Sequence, residues 1–163
     1  MGCHGAAVVS RHAPLASYLV NYARPLVYST APGLHSLVAI DHAYRTVAGP
    51  EGGRRRRRLF RLVRLFRERC RSAPELRGRV LPSPSPIQAV TFPGNRRCQA
   101  AAEELRRGEF DLYPIRFPTV EKGRERIRIV LHAHNKEEEV VALVGALRRV
   151  CRRDGAGNVA SRL

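Results

Sequence analysis

The sequence predicts an α/β protein whose C-terminal half forms a small α+β domain. Helical and strand patterns alternate along its 163 residues, and 44% of them are hydrophobic, which is enough apolar material for a packed core. The clearest strand runs from Arg126 to Leu131, because its apolar and charged residues alternate and Arg126 and Arg128 share one face. Short strands mixed with helices are typical of an α+β arrangement.

The N-terminal elements are predicted from short apolar runs and helical spacing. Gly5 to Val9 and Leu26 to Thr30 are expected to be buried strands, because both runs are short and contain β-branched residues. Pro14 suits the first turn of a helix that Pro25 should stop. A further helix is expected after Gly33, ending near Arg45.

The later elements begin after a break rich in Gly and Pro, at residues 47–53. From Leu59 the apolar residues follow the spacing of a helix with an arginine-rich outer face. Residues 81–86 predict an extended linker, since each proline moves its predecessor out of the α region. The elements expected beyond it are a strand at 87–92, a helix at 95–107, and a last helix capped by Asn135 with Glu138 at its third position.

The charge balance raises the possibility of an anionic partner. The formal net charge is +16, and the segment from Arg54 to Arg71 holds ten Arg and one Glu, so much of the excess is local. A basic amphipathic helix can bind nucleic acid or an anionic membrane. Aromatic residues are only 6% of the chain, and a run of charges is most often a solvated face. We therefore expect no nucleic-acid and no membrane partner.

The remaining composition excludes several classes of site and location. The four cysteines form no CxxC pair and no zinc-type spacing with histidine, so no metal site is predicted. No apolar run approaches the roughly 20 residues of a membrane span. The chain has no nucleophile elbow, no phosphate loop and no HExxH. Its last residues, Ser161-Arg162-Leu163, are a variant of the peroxisomal address, so a peroxisomal location is predicted, with the cytoplasm otherwise.

Two stretches resemble the pyridoxal-phosphate-dependent α-oxoamine synthases, the family of 8-amino-7-oxononanoate synthase. The first is Tyr18-Leu-Val-Asn-Tyr-Ala-Arg-Pro-Leu-Val-Tyr-Ser-Thr-Ala31, which is similar to the family's aromatic, Ala-Arg-Pro and Ser-Thr segment. The second, Pro118-Thr-Val-Glu-Lys-Gly-Arg-Glu-Arg-Ile-Arg-Ile129, resembles its Pro-Thr-Val-Pro-x-Gly-x-x-Arg-Leu-Arg stretch. The resemblance covers Gly2 to about Val150 and implies the C-terminal part of a fold-type I transferase.

The resemblance implies a domain plan in which the large domain is incomplete. Residues 1–46 would be the end of the large cofactor-binding domain, and 47–57 a basic linker. Residues 58–152 would be the small domain, and 153–163 a flexible tail.

The resemblance also implies roles for individual residues. Ser29 and Thr30 match the pair that reaches the phosphate of pyridoxal phosphate in the neighbouring subunit of a homodimer. Arg128 matches the arginine that binds the substrate carboxylate, where a planar guanidinium can bind both oxygens. Arg116 matches a second arginine near that pocket, and Thr119 would shape the loop between them.

The same resemblance leaves the chain without a catalytic residue. The Schiff-base lysine of the family falls just before the glycine that Gly2 matches, and therefore before Met1. Lys122 and Lys136 lie in the predicted small domain. The implied function is condensation of an acyl-CoA with an amino acid, as in biotin biosynthesis, by a fragment that is inactive alone. The alternatives are a glycine C-acetyltransferase-like member and a non-catalytic basic module.

Overall fold

A computed structural model describes residues 8–160, with side chains described from 8 to 154. Its helices are α1 (Ala13–Tyr22), α2 (Arg24–Val27), α3 (Leu34–Ala48), α4 (Pro50–Arg71), α5 (Asn95–Arg107) and α6 (Glu137–Ala160). The strands are β1 (Ile87–Thr91), β2 (Tyr113–Ile115) and β3 (Arg126–Val130), and a 3-10 turn covers Pro74–Leu76. The chain divides into two compact units between Arg54 and Arg55, within α4.

The N-terminal unit is helical where the second of its two expected strands was predicted to begin. Residues 24–27 form α2, so the strand predicted from Leu26 to Thr30 is wrong. Pro25 lies in the first turn of α2, where its missing N–H costs no hydrogen bond, and it therefore starts a helix as well as following one. The strand predicted at Gly5 to Val9 lies largely outside the described residues, and Val8 and Val9 are in no strand.

The expected break at residues 47–53 is shorter in the structure. Gly49 alone separates α3 from α4, because Pro50 begins the next helix and Gly52 is already inside it. A Cβ at Gly52 would lie 2.1 Å from the carbonyl oxygen of Val47. Only a glycine lets the two backbones approach so closely.

The N-terminal unit buries no side chain in α1, α2 or α3. Its aromatic residues are exposed, including Tyr22 at 69% and Tyr28 at 81%. Tyr18 and Tyr22 stack on each other with ring centroids 4.8 Å apart. The described part of this unit therefore has no hydrophobic core of its own.

The C-terminal unit holds the core on one face of an antiparallel sheet with the order β1-β3-β2. Helix α4 contributes Phe66, which is fully buried, and α6 contributes Leu147. Ile127 and Ile129 of β3 point to the same core, which confirms the predicted alternation. The predicted strand at 87–92 and helix at 95–107 are confirmed as β1 and α5.

The last helix is capped one residue later than predicted. The Glu139 carboxylate, and not that of Glu138, accepts a hydrogen bond from the Lys136 backbone N–H at 3.1 Å. Asn135 holds the same carboxylate through Nδ2, and its Oδ1 accepts from the His132 N–H at 2.8 Å. The Asn135 hydrogen bond, followed by that from Lys136, lowers the pKa of Glu139. Because α6 starts at Glu137, Glu139 occupies the third helical position, where a capping glutamate acts.

Candidate functional site

Arg128 lies on the open face of the three-stranded sheet. It is exposed in the middle of β3, between the buried Ile127 and Ile129. Its register partners are Ala89 on β1 and Tyr113 on β2, and directly opposed residues of an antiparallel pair share a face. No carboxylate among the described side chains lies within ion-pair distance of Arg128. Its guanidinium can therefore bind an anion that comes from outside the chain.

Arg126 shares this face and is held locally. Its Nε donates to the carbonyl oxygen of Arg124 at 2.9 Å, and the residue is half-buried. It is paired in register with Thr91 and Ile115. The two arginines of the strand thus differ: Arg126 donates a hydrogen bond to a backbone carbonyl oxygen, and Arg128 donates none within the described residues.

Arg116 and Thr119 lie in the loop that follows β2, and both are exposed. Asn95, the first residue of α5, holds this loop through both atoms of its amide. Its Oδ1 accepts from the Phe117 N–H at 3.1 Å and its Nδ2 donates to the Phe117 carbonyl oxygen at 3.3 Å. The Val120 N–H donates to the Arg116 carbonyl oxygen at 3.2 Å. The loop that carries Arg116 and Thr119 is therefore fixed to the start of α5.

Glu125 is a buried carboxylate that sequence reasoning missed. It is 2% exposed, and its Oε2 accepts a hydrogen bond from the Gly94 N–H at 2.8 Å. That backbone bond is the main cause of a lowered pKa for Glu125. Gly94 has φ +99, so the turn before α5 requires glycine. Glu125, the residue before β3, therefore joins the start of that strand to the turn before α5. Its sequence neighbours Arg124 and Arg126 are charged, so the sequence offers no sign that Glu125 is buried.

Glu121 stands where the family pattern has proline, and its carboxylate is turned to a local partner. Arg124 Nη1 lies 3.4 Å from Glu121 Oε2, and both side chains are largely exposed. An exposed pair of this kind contributes little stability. Its effect is to keep the Glu121 charge next to a cation within the same loop.

Ser29 and Thr30 follow α2 in the N-terminal unit, and both are exposed. Ser29 Oγ donates its hydrogen to the Pro25 carbonyl oxygen. A serine hydroxyl has a single hydrogen, so Ser29 must break this bond before it can donate to a phosphate. Thr30 has no hydrogen bond within the described residues and is available to a ligand.

The two lysines of the sequence lie in exposed positions of the C-terminal unit. Lys122 Nζ lies 5.2 Å from the centre of the Phe117 ring, and Lys136 precedes α6. Neither lysine is buried.

The described part of the chain has no metal cluster and no membrane-spanning helix, and its cysteines are free thiols. No group of three or more His, Cys, Asp and Glu side chains could hold a metal there. No helix between residues 8 and 160 is both long and apolar enough to cross a membrane. Cys70, Cys98 and Cys151 are buried free thiols, and burial is the main cause that raises their pKa to about 12, 11 and 11 respectively.

Known proteins similar to this chain are named as members of the family that the two sequence stretches resemble. The chain is 36% identical over 146 residues to 8-amino-7-oxononanoate synthase of Pseudescherichia vulneris, and 37% identical over 147 residues to that of Sodalis glossinidius. These matches cover 90% of this chain in both cases. They cover 37% and 36% of the two relatives, so the chain spans little more than a third of their length. The resemblance to the α-oxoamine synthases is confirmed.

Solved structures of this class show the same fold. Serine palmitoyltransferase of S. paucimobilis, bound to pyridoxal phosphate and myriocin, matches with a TM-score of 0.76 at 17% identity, over 91% of this chain and 36% of its own. 8-Amino-7-oxononanoate synthase of Francisella tularensis matches with a TM-score of 0.71 at 21% identity, over 88% and 40%. The chain therefore has part of the pyridoxal-phosphate-dependent transferase fold, as predicted. No family model matches the chain.

Proposed function

We propose that this chain forms the substrate-carboxylate side of an acyltransferase that condenses an acyl-CoA with an amino acid, in the manner of 8-amino-7-oxononanoate synthase. The observation that carries the proposal is the exposed position of Arg128 in β3. The residue matches the carboxylate-binding arginine of the family, and its side chain is exposed with no carboxylate partner among the described residues. A relative of that name aligns over 90% of this chain.

In this proposal Arg128 binds and orients the amino acid. A planar guanidinium donates two parallel hydrogen bonds to a carboxylate, which fixes the direction of the substrate as well as its charge. Asn95 and Glu125 act through the backbone, by holding the loop with Arg116 and the start of β3. Bound pyridoxal phosphate would supply an electron sink for the reaction, and Thr30 could donate to its phosphate.

In the family the covalent chemistry uses a lysine, and the family resemblance gives that role to neither lysine of this sequence. Lys122 and Lys136 are both exposed in the C-terminal unit. We therefore propose that the chain alone is inactive. In a homodimer of the complete enzyme, Ser29 and Thr30 would reach the phosphate bound by the neighbouring subunit. The Ser161-Arg162-Leu163 address lies outside the described residues. The relatives named above are bacterial and give a peroxisomal location no support.

A chimera tests this proposal. The chain replaces the 146-residue matched segment of the Pseudescherichia vulneris synthase, and formation of 8-amino-7-oxononanoate is measured with pyridoxal phosphate present. We expect product from the chimera and none from the chain alone. Product from acetyl-CoA and glycine alone would favour the glycine C-acetyltransferase-like alternative. A chimera that is folded and dimeric but makes neither product would contradict the proposal.

A further inference from the structure

A cavity of about 230 Å³ lies between the end of α4 and the loop before β1. Cys70 and Leu76 are among its lining residues and are 4% and 1% exposed. Three arginines also line it, Arg67, Arg71 and Arg77. A cavity of this size is below the roughly 300 Å³ at which pockets for drug-sized ligands begin, and it suits a small ion or a single chemical group.

Arg67 brings a fixed positive charge to the wall of this cavity. Its Nη1 donates to Ser83 O at 3.1 Å and to Gln88 Oε1 at 3.0 Å. These acceptors are neutral, so they hold the guanidinium in place without cancelling its charge. Gln88 is itself fully buried and donates through Nε2 to Ser85 O at 2.6 Å. The position of Arg67 is therefore set before any ligand binds.

Arg71 and Arg77 are exposed and have no carboxylate within ion-pair distance among the described side chains. The nearby Glu75 is already bound by Arg148 at 3.0 Å and Arg152 at 2.6 Å. These hydrogen bonds lower the pKa of Glu75 to about 2. Its charge is therefore engaged by other arginines and is not free to neutralise the cavity.

Other arginines of this unit do have carboxylate partners. Asp154 forms ion pairs with Arg79 and Arg97, and Glu104 forms one with Arg153. The cavity is different because three arginines and no carboxylate are among the residues that line it. Burial raises the pKa of the Cys70 thiol to about 12, so that group is neutral near pH 7 and does not compete as an anion.

We propose that this cavity binds a phosphate-class dianion, held by Arg71 and Arg77 against the fixed charge of Arg67. Arginine suits this ligand because its planar fork matches the spacing of phosphate oxygens. Gly78 also lines the cavity, and its backbone N–H has no hydrogen-bond acceptor among the described residues. The ligand can be inorganic phosphate or the phosphate monoester of a larger molecule, since both present the same group.

Calorimetric titration of the full chain tests the site at constant ionic strength, with inorganic phosphate in one arm and adenosine 3′,5′-bisphosphate in the other. We expect saturable binding in at least one arm, and the ratio of the two affinities distinguishes the free ion from a monoester. The double variant R71Q/R77Q should bind at least about tenfold more weakly. The matched control R64Q/R69Q removes the same charge from exposed positions of α4 outside the cavity and should stay within about threefold of the parent.

Two results would overturn the proposal. One is the absence of saturable binding by the parent chain in both arms. The other is an equal loss of affinity in the double variant and its control, which would show general charge attraction. If circular dichroism shows that R71Q/R77Q is unfolded, the single variant R77Q decides the matter. An affinity unchanged from the parent in folded R77Q would then count against the site.

Discussion

Replacing Phe66 with alanine is expected to destabilise the C-terminal unit by about 3–5 kcal/mol. Phe66 is fully buried on α4 and belongs to the core that joins α4, the sheet and α6. Its removal takes away the transfer free energy of the ring and leaves a cavity that the surrounding side chains fill only in part. Since single domains have net stabilities of about 5–15 kcal/mol, a change of this size removes much of the total.

Urea unfolding followed by far-UV circular dichroism measures this effect. The matched control is Phe60→Ala on the same helix, because Phe60 is 41% exposed. Because the Phe60 side chain is still partly covered, its loss should lower the free energy of unfolding by about 1 kcal/mol, well below the effect at Phe66. If Phe66→Ala lowers the free energy of unfolding by less than about 1 kcal/mol, α4 is not packed as described.

Replacing Asp154 with asparagine is expected to cost about 2–3 kcal/mol. The carboxylate receives Arg79 Nη1 at 2.7 Å, Arg97 Nε at 2.7 Å and Arg97 Nη2 at 2.8 Å, and its side chain is 12% exposed. Loss of one partner from a buried ion pair costs about 3–5 kcal/mol, and the value is reduced here because Arg97 is 39% exposed. The matched control is Glu104→Gln, whose partner Arg153 is 74% exposed, with an expected cost under about 1 kcal/mol.

The Asp154 contribution should also depend on pH. Burial raises the pKa of this carboxyl, but the hydrogen bonds and charges of Arg97 and Arg79 outweigh burial and leave the pKa below its ordinary value. A lowered folded-state pKa gives stability that is fully present above the unfolded pKa of about 3.9 and is lost as pH falls through the folded value. The free-energy gap between the parent and Asp154→Asn should therefore narrow below about pH 4. A constant gap from pH 7 to pH 2 would contradict this assignment.

Sequence reasoning succeeded where a repeating pattern decides the element. The alternation in β3 and the helical spacing of Leu62, Val63 and Phe66 both predict which side chains are buried. It failed at Leu26 to Thr30, because a short apolar run after proline suits a strand or a new helical turn equally well. Residues 113–115, which form β2, carry a proline and gave no strand signal.

The long-range polar contacts could not be predicted from the sequence. Arg67 is one of ten arginines in its segment, and only the folded chain shows that it reaches Ser83 and Gln88. The same holds for Glu125 and Asn95, whose partners lie 31 and 22 residues away along the chain. The family motif, by contrast, predicted Arg128 as the carboxylate-binding residue. The alternation of β3 predicted that it lies opposite the apolar face of the strand.

The role of Arg128 is tested most directly by the Michaelis constant for the amino acid in the chimeric synthase. Arg128→Ala should raise this constant or lower kcat/KM by about 10- to 100-fold, because hydrogen bonds to a charged group contribute about 1.5–3 kcal/mol. Arg126→Ala is the matched control on the same strand and face, and it should change kcat/KM by less than about threefold, since its Nε is engaged by Arg124. Equal losses of kcat/KM in the two variants, or an unchanged kcat/KM in Arg128→Ala, would contradict the account.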